Sequence, residues 1–217
     1  MPGIRNYSIQ QFQERLNRFE ISYITDWNVW IDSYNNHNIE VAYIFGIILR
    51  RWQACRPNSM RRSKNENDHE PPYLEHLLHR SSVFVDNLVA FDLRDINSFC
   101  IDSEHSLKQL WNIFTDLSYR GKARNGKAGV VGISKAVLLL TKGRVGPAFD
   151  SKVRQNLCIN TINNAQQWIN ALKYVSEDII SFEQNNSCSI YDATPNRFST
   201  LQVGRIYDMA LGPGITA

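Results

Sequence analysis

Apolar residues recur at intervals of three and four along most of this chain, and no run alternates convincingly at period two. That pattern lays one apolar stripe on a helix and leaves no half-buried strand, so an all-α fold is expected. Ser8 heads the first stripe, Ile9, Phe12, Leu16 and Phe19, on a helix ending near Glu20. Tyr23 to Tyr34 carries Trp27, Trp30 and Ile31 at helical spacing, and the cluster Asn35, Asn36, His37, Asn38 breaks it. From Ile39 to Cys55, Val41, Ile44, Phe45, Ile48, Leu49 and Trp52 share a face; β-branched content allows a strand over 39–49, but length and period favour a helix. Tyr73 to Ile96 reads as helix through Leu74, Leu77, Leu78, Val83, Phe84, Leu88 and Phe91. Asp102 or Ser103 is the expected cap of a helix that ends near Tyr119, with Leu107, Leu110, Trp111, Phe114 and Leu117 as its stripe. Thr161 to Gln184 reads as one helix, Asn185 to Pro195 as a polar connector, and Ser199 as the cap of a last helix, Thr200 to Leu211. The expectation is seven to nine helices around one core, in a single domain over 1–217.

With 43% hydrophobic residues in 217, the chain can bury a sizeable core. Its N-terminus has no apolar stretch of the leader type, and its longest apolar runs, Val41 to Leu49 and Ala136 to Leu140, fall short of the roughly 20 residues that span a bilayer. A cytoplasmic protein with no membrane partner is expected. The four cysteines, Cys55, Cys100, Cys158 and Cys188, form no close pair and are expected to be buried thiols.

Charge is concentrated in one stretch. Between Arg120 and Arg154 there are nine Lys or Arg and one acid, Asp150, so this segment carries +8 while the rest of the chain sums to −5. It also holds six of the eleven glycines. Dense positive charge with glycine suits an anionic partner, phosphate above all, and DNA is the expected one. The candidate nucleic-acid contacts are Arg120, Lys122, Arg124, Lys127, Lys142, Arg144, Lys152 and Arg154, with Gly129, Gly132 and Ser134 from the glycine-containing turn. A second basic run, Arg50 to Lys64, leads into an exposed loop over 56–72 and offers either a solvated loop or a further phosphate contact.

Within the main basic stretch, Val131-Gly132-Ile133-Ser134 leads into an apolar helix from about Ala136 to Thr141, with Lys135 in its first turn. A glycine-rich turn, 142–146, follows, and Asp150 stands at the N-cap of a helix from Ser151. Gly132, Lys135-Ala136, Pro147, Asp150, Val153 and Arg154 resemble the pattern of the helix-hairpin-helix DNA glycosylases over 129–154. The resemblance implies an all-α repair protein that hydrolyses or lyses at damaged or abasic sites. In bifunctional members a Lys at the position of Lys135 is the nucleophile, and an Asp at the position of Asp150 is the catalytic carboxylate. No cysteine cluster for an iron–sulfur centre follows, so no cofactor is expected.

The chemistry of the two residues is consistent with those roles. A Lys in apolar, cationic surroundings loses its proton more readily and can attack an anomeric carbon to give a Schiff base. A neighbouring carboxylate can take up that proton or stabilise an oxocarbenium-like state. The bland alternatives are a phosphate-contacting Lys135 and an Asp150 that only caps a helix.

Gly121 to Lys127 fits G-x-x-x-x-G-K, but Ala128 stands where Ser or Thr would hold Mg²⁺ and a helix precedes it, so a flexible basic loop is the better reading. His76 and His79, beside Glu75 and with His69 and His105 elsewhere, read as a solvated helix face, and no metal site is expected. Arg205 and Asp208 sit one turn apart and suggest a local ion bridge of a few tenths of a kcal/mol, or a place lining a cleft. Two functional classes therefore compete: a DNA-binding glycosylase or abasic-site lyase using Lys135 and Asp150, and a non-catalytic nucleic-acid-binding or protein-interaction module. The modest overall charge of +3 also keeps an acidic protein surface in view as the partner.

Overall fold

The computed structural model of the protein describes residues 3–36, 40–55, 73–118 and 127–212. Among these residues the fold is all-α, with ten helices and no strand: α1 (Ile9–Asn17), α2 (Ile21–Asn35), α3 (Val41–Arg51), α4 (Tyr73–Asp86), α5 (Ile101–Phe114), α6 (Val130–Leu140), α7 (Ser151–Asn156), α8 (Ala165–Asn186), α9 (Ile190–Ala193) and α10 (Val203–Leu211). Eight of the ten have seven residues or more. The expected loop over 56–72 and the motif from Gly121 to Gly126 lie outside the described residues.

The α1 cap is the expected one. Ser8 accepts the Gln11 N–H while the Gln11 side chain accepts the Ser8 N–H, a capping box that satisfies two otherwise orphaned donors. α5 packs against α4, α6 and α8; α3 against α2, α4 and α6; and α10 against α1 and α7. One contiguous apolar core runs through these contacts. Aromatic pairs mark it, with Phe45 between Trp30 and Phe114, Trp111 against Trp168, and Phe12 against Phe182.

The N-terminal segment is tied to this core by a buried carboxylate. Asp178 of α8 accepts the Ile4 N–H at 2.7 Å, Arg5 Nε–H at 2.7 Å and the Tyr207 hydroxyl of α10 at 2.7 Å. Gly3 adopts φ +86°, and a Cβ there would lie 2.3 Å from the Asp178 carboxylate.

Several boundaries differ from the sequence reading. The helix expected over 73–96 stops at Asp86, and Leu88, Val89 and Phe91 continue in turns bonded three residues back. Leu88 and Phe91 still reach the core, because a spacing of three serves a chain of turns as well as a helix. α5 starts after Cys100, not after Asp102 or Ser103; Asp102 and Glu104 fall inside its first turn, where the helix dipole favours acids. Ile101, its first residue, is exposed, so hydrophobicity did not mark the start.

Asn164, not Thr161, heads α8, and the polar connector after it contains α9, capped by Ser189. α10 begins three residues later than the stretch 200–211 suggests, after a 3-10 turn at Asn196–Phe198. The cysteines are not buried thiols: Cys100 and Cys158 are exposed, Cys55 and Cys188 half-buried, and all four are free.

Candidate catalytic cavity

α6 is apolar on every side, and all its residues except Val131 are buried. A helix of that kind belongs inside a protein, and it takes Lys135 with it. Lys135 is the sixth residue of α6, not in the first turn as the glycine-rich entry suggested, because Val131-Gly132-Ile133-Ser134 is itself helical. It therefore stands away from the free N–H groups that a helix N-terminus offers to phosphate.

Close packing explains where the Lys135 amine goes. At Gly132 a Cβ would lie 2.9 Å from the Ala54 carbonyl oxygen and 3.0 Å from Cys55 Sγ, so the bare glycine lets α6 approach the end of α3. Trp52 is the C-cap of α3, and its carbonyl accepts a hydrogen bond from Lys135 Nζ. An ammonium at a helix C-terminus meets both an unsatisfied carbonyl and the negative end of the dipole.

Burial pulls the Lys135 amine below its ordinary range. Asp150, Asp208 and Cys55 pull it back up, and Arg205 pushes it further down. Among the described residues the amine makes no ion pair with a carboxylate.

The chain from Lys135 to Asp150 is held by local chemistry. α6 ends in a Schellman arrangement, with the Gly143 N–H on the Leu138 carbonyl at 2.8 Å and the Lys142 N–H on that of Leu139 at 3.0 Å. Lys142 and Gly143 both adopt left-handed φ, at 52° and 84°. Ser134 Oγ donates to the Val130 carbonyl at 2.6 Å and accepts the Phe149 N–H at 2.9 Å. Asp150 caps α7 as expected, its Oδ1 accepting the Lys152 and Val153 N–H groups at 2.9 Å each. Its Oδ2 has no partner among the described residues.

Lys135 and Asp150 line the same small cavity, of about 20 Å³. Phe19, Tyr23 and Trp52 supply its aromatic wall, and Ala148, Arg205 and Asp208 complete it. As it stands it has room for about one water molecule, not for a sugar or a base. Arg205 and Asp208 combine the two readings the sequence allowed, an ion bridge and a place lining a cleft. The one-turn ion bridge is 2.6 Å long and buried, so its energetics are not those of a solvated helix pair.

The Arg205 guanidinium carbon lies 5.1, 4.9 and 5.0 Å from the ring centres of Phe19, Trp27 and Trp52, and its NH2 donates to the Tyr23 carbonyl at 3.3 Å. Burial raises the Asp208 carboxyl, with Arg205 opposing that shift. Burial also raises the Tyr23 hydroxyl, helped by Glu20 and Asp150.

The candidate nucleic-acid contacts differ in exposure and in the partners they already hold. Arg120, Lys122 and Arg124 lie outside the described residues. Lys127 and Lys152 are exposed. Lys142 is half-buried, donates to Asn35 Oδ1 at 2.6 Å and lies 5.1 Å from the Tyr34 ring centre. Arg144 is half-buried close enough to Tyr34 to lower its hydroxyl, though burial raises that hydroxyl overall. Arg154 donates to the Asn160 carbonyl at 2.8 Å. Gly129 caps α6, Gly132 serves helix packing, and buried Ser134 is taken up by backbone groups.

His76, His79 and His105 are exposed, and among the described residues no group of three or more His, Cys, Asp or Glu could hold a metal ion. No helix among them is long and apolar enough to cross a membrane.

Sequence reasoning offered Arg205 and Asp208 a local ion bridge or a place lining a cleft, and the structure gives them both; it did not place Phe19, Tyr23 or Trp52 at the site. One signal was present. The two charges interrupt a helix, Val203–Leu211, whose other residues are Val, Gly, Ile, Tyr, Met, Ala and Leu, and all nine of its residues are buried. The chain matches no family profile, no curated protein and no solved structure.

Proposed function

We propose that this is a DNA-binding helical protein of the glycosylase or abasic-site lyase type, in which Lys135 is the nucleophile and Asp150 its carboxylate partner. One observation carries the reading: the two residues singled out by the sequence, on different helices, line one buried cavity. Burial favours the neutral amine that attack requires, and the Asp150 carboxylate lines the same cavity.

In the lyase step the Lys135 amine adds to the C1′ aldehyde of an abasic site, water leaves, and an imine joins Nζ to C1′. The cavity must widen for this, since its present volume excludes a sugar. Lys127 and Lys152 of the basic stretch are exposed and free to meet phosphate in this reading.

Borohydride reduction in the presence of abasic duplex tests the reading. The expected result is a covalent protein–DNA adduct on Lys135, lost in Lys135→Ala and reduced in Asp150→Asn. An equal adduct yield in Lys135→Ala excludes Lys135 as the nucleophile.

The cavity volume and the Lys135–Trp52 hydrogen bond favour a second reading, a non-catalytic nucleic-acid-binding module in which Lys135 joins α6 to α3. That reading predicts salt-dependent binding to intact and abasic duplex alike, with no adduct.

A further inference from the structure

Asp208 faces the cavity from α10, and its two carboxylate oxygens have different partners. Oδ2 meets Arg205 NH1 at 2.6 Å, and Oδ1 accepts the Ala148 N–H at 3.0 Å. Ala148 belongs to the segment that delivers Asp150 to the head of α7. That segment is fastened to α10 twice more. The Arg205 N–H donates to the Gly143 carbonyl at 3.0 Å, and a Cβ on Gly204 would lie 2.8 Å from Gly146 N, so the two backbones touch. Arg205 cannot swing away from Asp208, because Phe19, Trp27 and Trp52 enclose it.

We infer that Asp208 is a positioning residue of this site: held by Arg205, it fixes the segment that presents Asp150 and supplies a negative charge beside the Lys135 amine. The inference rests on the reading of Lys135 and Asp150 as a reacting pair. Six groups surround that amine on the elements packed against it. They are the Trp52 carbonyl and Cys55 at the end of α3, Tyr23 of α2, Asp150 at the head of α7, and Arg205 and Asp208 of α10. Asp208 is the carboxylate among them that bonds the Asp150 segment through its side chain from another helix and also favours the charged amine.

Asp208→Asn keeps an acceptor for the Ala148 N–H, removes the negative charge and leaves Arg205 unopposed. The expected result is a Lys135 titration midpoint lowered by about one pH unit. It is read from the Cε carbon of labelled lysine by NMR and assigned by loss of the signal in Lys135→Met. Asp208→Glu is expected to bring the midpoint back towards the wild-type value. A purely structural Asp208 would leave the midpoint in place, so an unmoved or raised midpoint in a folded Asp208→Asn protein overturns the inference.

Should Asp208→Asn fail to fold, the wild-type protein decides. The carboxyl carbon of Asp208 must then show an inflection at the Lys135 midpoint, and a flat trace there overturns the inference. None of these readings uses DNA. A missing borohydride adduct therefore counts against the lyase reading alone, and an unmoved midpoint against the role of Asp208 alone.

Discussion

Arg205 and Asp208, one turn apart on α10, meet at 2.6 Å with both side chains buried. A buried ion pair is costly to break, because removing one member strands the other charge in a medium that cannot solvate it. Arg205→Met should therefore lower stability by about 3–5 kcal/mol, measured by urea unfolding. Adding Asp208→Asn to that variant should recover a large part of the loss, since no charge is then left unpaired.

Asp150 has a structural task that must be separated from any chemical one. Its Oδ1 caps α7, a helix of six residues that depends on its first turn. Asp150→Ala should cost about 1 kcal/mol of stability, whereas Asp150→Asn, which retains a capping oxygen, should cost much less. Thermal melts of the two variants check this, and they make the Asn variant the proper probe of the charge.

Tyr207 couples the fold to alkaline pH. Burial and the Asp178 carboxylate raise its hydroxyl well above 10.0. The folded state therefore holds this proton more tightly than the unfolded chain does. The resulting stability is fully present below the unfolded value of about 10 and is lost as pH rises above it through the folded value. Urea midpoints measured from pH 8 upward should fall beyond pH 10, and Tyr207→Phe should flatten that fall while lowering stability by about 1–3 kcal/mol at neutral pH.

Two glycines should respond unequally to a methyl group. At Gly204 a Cβ would lie 2.6 Å from the Gly143 carbonyl oxygen, a backbone atom that cannot move without disturbing the segment leading to Asp150. Gly204→Ala should cost about 1–3 kcal/mol. At Gly129 nothing lies within 4 Å of such a Cβ. Gly129→Ala should cost less than about 1 kcal/mol, and calorimetry of the pair tests the contrast.

If duplex DNA is the partner, individual basic residues should contribute unequally. Exposed Lys152 should behave as a phosphate contact, and Lys152→Ala should reduce the dependence of log K on log salt by about one. Lys142, already engaged with Asn35 and Tyr34, should change that slope less. Fluorescence titrations at several salt concentrations measure both.

Much of the helical framework was legible because periodicity and capping are local. The Ser8 cap, the stripe of α1 and the Asp150 cap each depend on residues within a few positions of one another. Helix starts without such markers were misplaced. α6 begins six residues before Ala136, because valines and a glycine read equally well as a turn, and α5 begins at an exposed Ile101.

By itself, the sequence determined the all-α class and the concentration of positive charge between Arg120 and Arg154. These follow from spacing and composition within short stretches of chain. Only the tertiary structure decided that Lys135 is buried and bonded to the Trp52 carbonyl, and that Arg205 and Asp208 join the same cavity from α10. Those outcomes depend on approaches between residues far apart in the chain, such as Gly132 against Ala54 and Gly204 against Gly143. Dielectric surroundings are set by that packing, so the sequence could pair Arg205 with Asp208 but not tell that the pair is buried.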